Sequence, residues 1–375
     1  MIIILSITGF LIFSYLLYPL WLDFTVTGKA PRKEKETEEI NSVSVILLSF
    51  NGCRYLKDKI NFLLRELSSF DFYELIIVDD NSQDGSAELL NEYRQLDHIK
   101  VLNNKLQYGI PFSMNLGIVT SRYDYVVFCD QRQELSEGIL KKIVEPLRFA
   151  RVGAVSGCIS YRDKSRKCSL LRRHENFLKH KESKAGSLIG VYGPFYAIKK
   201  ECYSPIPGYI ILDDLYLSLA ILKSKEIELR EDCHIIDDNF SILYDYRRIR
   251  RYLIGFIQIL NEKKLMHEIS NRQKIMLIWH KYLRLLIPLS AFFIYISAGL
   301  KASNEKGFAI LFLILTLVGL LSVVKFKEKF WLNPKNLIRI NILYFIGLID
   351  VIMDKIFLRK PGVRNYRKKS FENVT

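Results

Sequence analysis

The chain lacks the signatures of several large protein classes. Its six cysteines (Cys53, Cys129, Cys158, Cys168, Cys202 and Cys233) form no C-x-x-C pair and no zinc-ligand spacing with histidine. That argues against a disulfide scaffold or a zinc module and fits isolated thiols in a reducing compartment. No G-x-G-x-x-G and no P-loop occurs, so dinucleotide and ATPase readings are without their fingerprints. There is no internal repeat, and low complexity is confined to the charged link Lys29 to Glu39. The first apolar run, Ile2 to Leu22, has no charged residue, no basic segment before it and no small-residue cleavage site. A cleaved signal peptide is therefore disfavoured and a retained anchor expected.

What is present begins with charge. The 375 residues carry 55 Lys+Arg against 40 Asp+Glu, a formal +15. The basic residues cluster beside apolar runs, at Lys29 to Lys35, Lys325 to Lys329 and Arg359 to Lys369. That placement is the positive-inside pattern of a membrane protein; no nucleic-acid recognition fold accompanies the charge. Residues 1–24 are expected to span with the N-terminus outside, because the basic flank that follows stays in the cytoplasm. Leu285 to Leu300 and Gly307 to Val324 are uncharged and joined by the short polar link Lys301 to Lys306, so residues 285–324 read as a transmembrane hairpin. Ile340 to Ile349 is shorter and flanked by Arg339, Asp350 and Asp354, which suits an interfacial helix followed by a basic cytoplasmic tail within 325–375. Residues 246–284 read as interfacial amphipathic helices.

Between these segments, residues 41–245 alternate strand and helix as in a parallel α/β domain. Expected strands are Val43 to Leu48, Leu75 to Val78, Ile99 to Leu102, Tyr125 to Cys129 and Val152 to Ser156. Expected helices are Lys57 to Leu67, Ala87 to Leu96, Pro111 to Thr120 and Ile139 to Arg148. Two strands end in acid: Leu75-Ile76-Ile77-Val78 runs into Asp79-Asp80, and Tyr125 to Cys129 into Asp130. A third acidic step is Asp213-Asp214. Carboxylates at the C-terminal ends of parallel strands sit where open α/β sheets bind ligands, and the turn amides that follow can approach phosphate.

These residues resemble the family 2 glycosyltransferases. The resemblance opens with Val43-Ser44-Val45-Ile46, Phe50-Asn51 and Val78-Asp79-Asp80-Asn81-Ser82-Gln83-Asp84-Gly85-Ser86. It continues through Phe128-Cys129-Asp130-Gln131-Arg132-Gln133 at the family's D-x-D position, Val152 to Gly157, and Gly193-Pro194-Phe195-Tyr196-Ala197-Ile198. Further on stand Leu212-Asp213-Asp214-Leu215 at the place of the acidic base motif and Tyr246-Arg247-Arg248-Ile249-Arg250-Arg251-Tyr252, similar to Q-x-x-R-W. His280 to Arg284 precedes apolar segments as in membrane-integrated members related to cellulose and hyaluronan synthases. The motifs cover about Val43 to Pro288 and occur in the family's order.

The resemblance implies an inverting enzyme of the GT-A fold, with an N-terminal transmembrane helix and a C-terminal transmembrane and interfacial region. It implies transfer of a sugar from a UDP-sugar to a lipid-linked or growing polysaccharide acceptor, at the cytoplasmic face of the plasma membrane. Asp80 would read the uracil edge, and Asp79 would support it or the ribose. Asp130 would face the diphosphate and a divalent cation, Mg²⁺ or Mn²⁺. Arg132 replaces the last Asp of D-x-D, so two arrangements stay open: Asp130 holds the metal with help from elsewhere, or Arg132 partly replaces the cation by pairing with phosphate. Asp214 would be the general base, its basicity raised by Asp213. Arg248 and Arg251 would clamp the diphosphate. Gly193 would admit donor or acceptor sugar, and Tyr252 would stack on the acceptor. His280 reads as a structural or headgroup contact. Three spans are few for a channel, so a homo-oligomer or other polysaccharide-synthesis proteins are implied wherever a conduit is needed. A single-step polyprenyl-phosphate sugar transferase and a non-catalytic membrane scaffold, the latter supported by Arg132, are the alternatives.

Overall fold

The computed structural model describes residues 16–25, 38–160, 170–236, 246–283 and 294–300, with positions 9, 285, 313, 346–347 and 349–351. The apolar run that opens the domain forms β1 (Ser42–Ser49). After it come α1 (Cys53–Leu67), β2 (Phe72–Asp79), α2 (Ser86–Asn91), β3 (Ile99–Asn103), α3 (Ile110–Thr120) and β4 (Tyr125–Asp130). The chain continues with β5 (Glu134–Leu135), α4 (Ile139–Val144), β6 (Val152–Ser160), α5 (Leu170–Lys184), β7 (Phe195–Lys199), α6 (Asp213–Ile221) and β8 (Glu226–Ile236). It then runs through α7 (Tyr246–Asn261), α8 (Lys263–Glu268), α9 (Asn271–Leu277) and a π-helical turn, Ile278–Tyr282.

The eight strands form one mixed sheet, ordered β3-β2-β1-β4-β7-β6-β8-β5. β3, β2, β1 and β4 are parallel; β7 runs against both β4 and β6. Apolar side chains fill both faces, which is why the strands read as continuous rather than alternating runs. Ile46, Ile76, Val78, Val126 and Phe128 face a core shared with α3, α5, α6 and α7. Their neighbours Val45, Leu47, Ile77, Val127 and Cys129 face α1 and α4. On α1 the buried positions Leu56, Ile60, Leu63 and Leu67 recur at helical spacing, so one stripe covers the sheet.

Most expected elements occur, with shifted ends. The helix expected to run from Ile139 to Arg148 stops at Val144 and tightens into a 3₁₀ turn, Glu145–Arg148. Pro146 is the reason, since it has no N–H to continue the α pattern. The helix expected over Ala87 to Leu96 ends at Asn91, and β6 runs on to Ser160.

The N-terminal apolar run does not stand clear of the domain. Residues 16–25 are helical, and Tyr18 and Leu22 are fully buried in the core beside α5, α6 and α7. The opposite stripe, Leu16, Leu20 and Phe24, is exposed. Most of the expected hairpin 285–324 and of 325–375 lies outside the described residues. Among the described residues, no helix is long and apolar enough to cross a membrane. Arg250 on α7 pairs with Asp350 at 2.8 Å.

Candidate active site

Register brings the first carboxylates together. β1 places Leu48 beside Val78 on one flank and Asp130 on the other, and Ser49 beside Asp79. The acids therefore stand at one end of the sheet, at the C-terminal ends of the parallel strands on either side of β1. β1 and β4 flank the point where strand order reverses, the crevice in which such sheets bind ligands.

Asp79 is spent locally. It is buried, and it accepts from Ser49 Oγ (3.1 Å), Ser82 Oγ (2.5 Å) and the Ser82 N–H (2.9 Å), so its carboxylate closes the turn after β2. That turn is tied to the one after β1. Asn51 N–H donates to Ser82 Oγ (2.9 Å), Gln83 N–H to Asn51 Oδ1 (2.8 Å) and Cys53 N–H to Asp84 Oδ2 (2.9 Å). Asn51 and Asn81 both take positive φ there, a conformation asparagine tolerates. Asp80 also lies buried. Its Oδ1 accepts from Asn104 Nδ2 and the Tyr108 N–H, and its Oδ2 from the Gly109 N–H, each at 2.8 Å. Burial raises its carboxyl above the usual range against the pull of those three bonds. A carboxylate offers about four acceptor sites, so Oδ2 keeps capacity for one more donor.

Asp130 and Asp214 meet through the loop before β7. The Asp130 N–H donates to the Pro194 carbonyl at 2.9 Å. One residue earlier, a Cβ on Gly193 would lie 3.0 Å from Asp214 Oδ2. The glycine thus leaves room for the carboxylate of Asp214, and any side chain there would crowd it. Asp214 Oδ1 accepts the Leu215 N–H at 2.8 Å in the first turn of α6. Ser218 Oγ donates to the Asp214 carbonyl (2.6 Å) and accepts the Val191 N–H (3.1 Å), which ties loop 190–193 to the same turn.

Asp213 carries the perturbed proton. Burial first, then the charge of Asp214, push its carboxyl up to about 7; Asp130 adds to the rise, and Arg251 opposes it. Arg251 reaches this neighbourhood because α7 crosses close to the start of α6. A Cβ on Gly255 would lie 2.6 Å from Leu212 Cγ, so the helices meet at a bare Cα. Gln258 secures the crossing by accepting the Ile211 N–H (3.1 Å) and donating to the Tyr209 carbonyl (2.8 Å). Tyr252 is half-buried against the core. The Arg248 side chain lies outside the described residues.

Two features escape a reading of the sequence. The Tyr196 hydroxyl is buried with no hydrogen-bond partner among the described residues, and burial with the charges of Asp213, Asp214 and Asp130 holds its pKa well above the usual value. The second is a buried ionic cluster behind loop 190–193. Glu182 accepts from Tyr18 Oη and lies against His280 Nδ1, both at 2.6 Å; His280 Nε2 lies 3.1 Å from Glu175, which pairs with Lys281 at 2.9 Å. Helix α5, LLRRHENFLKHKESK, looks like a solvated charge run, and only partners 98 and 164 residues away make its burial possible. Among the described residues no three His, Cys, Asp or Glu gather as a metal-binding group. Burial is the main cause of the raised Asp213 carboxyl, but Asp214 and Asp130 add to it, and a cation would relieve that part of the rise.

The family description Glycosyl transferase family 2 matches residues 44–204, a span that contains Asp79, Asp80, Asp130 and Gly193. The chain carries a family 2 glycosyltransferase domain. A poly-beta-1,6-N-acetyl-D-glucosamine synthase of Staphylococcus epidermidis is 24% identical over 194 residues, covering 50% of this chain and 46% of that protein. A Bacillus subtilis protein named as a teichuronic acid biosynthesis glycosyltransferase, TuaG, is 32% identical over 104 residues, covering 28% of this chain and 40% of its own length. The chain thus matches less than half the length of each of these relatives. In fold, the glycosyltransferase domain and its flanks are similar to the mannosyltransferase PcManGT from Pyrobaculum calidifontis, solved with GDP-Man and Mn²⁺. The TM-score is 0.71 at 16% identity, over 94% of this chain and 99% of that one.

Proposed function

We propose that the protein is a membrane-bound inverting glycosyltransferase that moves a sugar from a UDP-sugar to a lipid-linked or growing polysaccharide acceptor. The observation that carries this reading is the short path from the Asp130 N–H through Pro194 and Gly193 to the Asp214 carboxylate. It supports reading Asp130 as the acid that faces the diphosphate and Asp214 as the base on the same rim. Asp214 takes the proton of the acceptor hydroxyl as that oxygen attacks the anomeric carbon from the face opposite the leaving group. The bond to the diphosphate breaks and the anomeric configuration inverts. Arg248 and Arg251 stabilise the charge that grows on the departing nucleotide. Asp80 accepts the base N–H on Oδ2, beside the loop 104–109 that it organises. Asp130 and the donor's diphosphate oxygens would hold a divalent cation, which would offset leaving-group charge.

The relatives' names favour a cell-envelope or extracellular polysaccharide as the product. The exposed stripe Leu16, Leu20 and Phe24 favours a membrane-facing side for residues 16–25.

A donor panel tests the reading. Full-length protein in detergent is given UDP- and GDP-sugars, UDP-N-acetylglucosamine first, with and without Mn²⁺ or Mg²⁺, and released nucleoside diphosphate is measured. UDP release from a UDP-sugar, increased by acceptor and reduced by chelation, is expected. No release from any donor, with no UDP binding by calorimetry, would favour the scaffold alternative.

A further inference from the structure

Behind Asp214 sits a lysine that the mechanism above does not use. Lys179 lies on α5 and is 1% exposed. Its ammonium donates to the Gly190 carbonyl and rests 4.2 Å from the centroid of the Tyr192 ring. Both contacts fall on loop 190–193. The far end of that loop is Gly193, the bare Cα beside Asp214 Oδ2, and its middle is tied to α6 by the Val191 N–H bond to Ser218 Oγ. The Tyr192 N–H donates to Ser156 Oγ (2.8 Å) and Tyr192 Oη to Asn176 Oδ1 (2.5 Å), so the loop is held from β6 and α5 as well.

We propose that Lys179 is a positioning residue for sugar transfer: its buried ammonium anchors the Gly190 carbonyl and so seats loop 190–193 against Asp214. The ammonium also lies in the field of Asp214. The charged groups that face it are Glu175 and Glu182 of its own helix, Lys281 of the π-helical turn and Asp214 of α6. Burial lowers the Lys179 amine to about 8. Its charge is therefore present at neutral pH and lost as pH rises through that value. The side chain thereby fixes the backbone that leaves space for the base. The proposal rests on Asp214 being the base.

Lys179→Met in the full-length protein separates this seating role from bulk stability. Turnover is read as UDP release across the donor panel, and binding by calorimetric titration with UDP. The expected result is a fall in kcat of about 10-fold or more, from misplacement of the base. UDP affinity should not change. The wild-type loss of kcat as pH rises through about 8, where the Lys179 ammonium discharges, should be absent from the variant. A fully active variant that keeps that alkaline loss would overturn the proposal. If Lys179→Met does not fold, Ser218→Ala decides, because it cuts the same loop from α6 without burying a changed charge. A kcat-selective loss with UDP binding retained supports the seating role, and undiminished kcat overturns it. An Asp214→Asn variant run in parallel keeps the two readings distinct. If it turns over fully, the base assignment fails first; if it is inactive while both other variants are normal, only the role of Lys179 falls.

Discussion

Replacing Asp214 with asparagine should lower sugar transfer by about 10²–10⁴-fold, the usual contribution of a positioned general base, while UDP binding and fold are retained. The side chain of Asn keeps an oxygen where Oδ1 now accepts the Leu215 N–H, so the first turn of α6 should survive. What is lost is the ability to take a proton at the oxygen beside Gly193. Asp213→Asn is the informative contrast. Its carboxyl is pushed up to about 7 and so exists in both forms near neutrality. An amide imitates the neutral form, and the loss of turnover should be much smaller than at Asp214. Parallel kcat measurements on the two variants, with UDP titrations as the binding control, check the assignment; equal losses would mean that the pair acts as one unit.

The second large effect concerns stability. Glu182→Ala should destabilise the protein by about 3–5 kcal/mol, the scale of breaking a buried ion pair and leaving its partner uncompensated. Glu182 is fully buried, and its loss strands Tyr18 Oη, His280 Nδ1 and the Ile189 N–H together. Burial alone would raise its carboxyl. The charge and hydrogen bond of His280, with Lys281 and Tyr18, outweigh burial and hold it below the usual range. A depressed carboxylate gives stability that is present above the unfolded value of about 4.3 and lost as pH falls through the folded one. The gap between wild type and variant should therefore narrow in acid. Tryptophan fluorescence reports this unfolding directly, because Trp21 and Trp279 flank Tyr18, with ring centroids 6.1 and 5.7 Å from it. Equal stability of the two proteins at neutral pH would show that the cluster adds nothing to the fold.

The half of the site formed by β1, β2 and β4 was legible in the sequence, for a physical reason. Parallel strands buried on both faces must be apolar throughout, so an acid at the end of Leu75 to Val78 or Tyr125 to Cys129 stands out, and register then aligns Asp79 and Asp130. The Asp213-Asp214 step, at the start of a helix, was visible because an acidic pair interrupts the apolar run from Ile211-Leu212 to Leu215. The other half was not. β7 is five residues long and reads as a motif rather than a strand, though its pairing with β4 is what brings Pro194 to Asp130. α5 carries its buried charges in a run that composition assigns to solvent. That the Asp213 carboxyl is raised follows from burial and from the charge of Asp214, and spacing does not reveal that burial.

The central claim is a single-displacement transfer driven by one base on the rim shared with Asp130. Its most direct measurement is the anomeric configuration of the first product, read by proton NMR as the sugar leaves a UDP donor of known α linkage. The account predicts a β-linked product. An α-linked product would require a second displacement or a different catalytic group, and would contradict it.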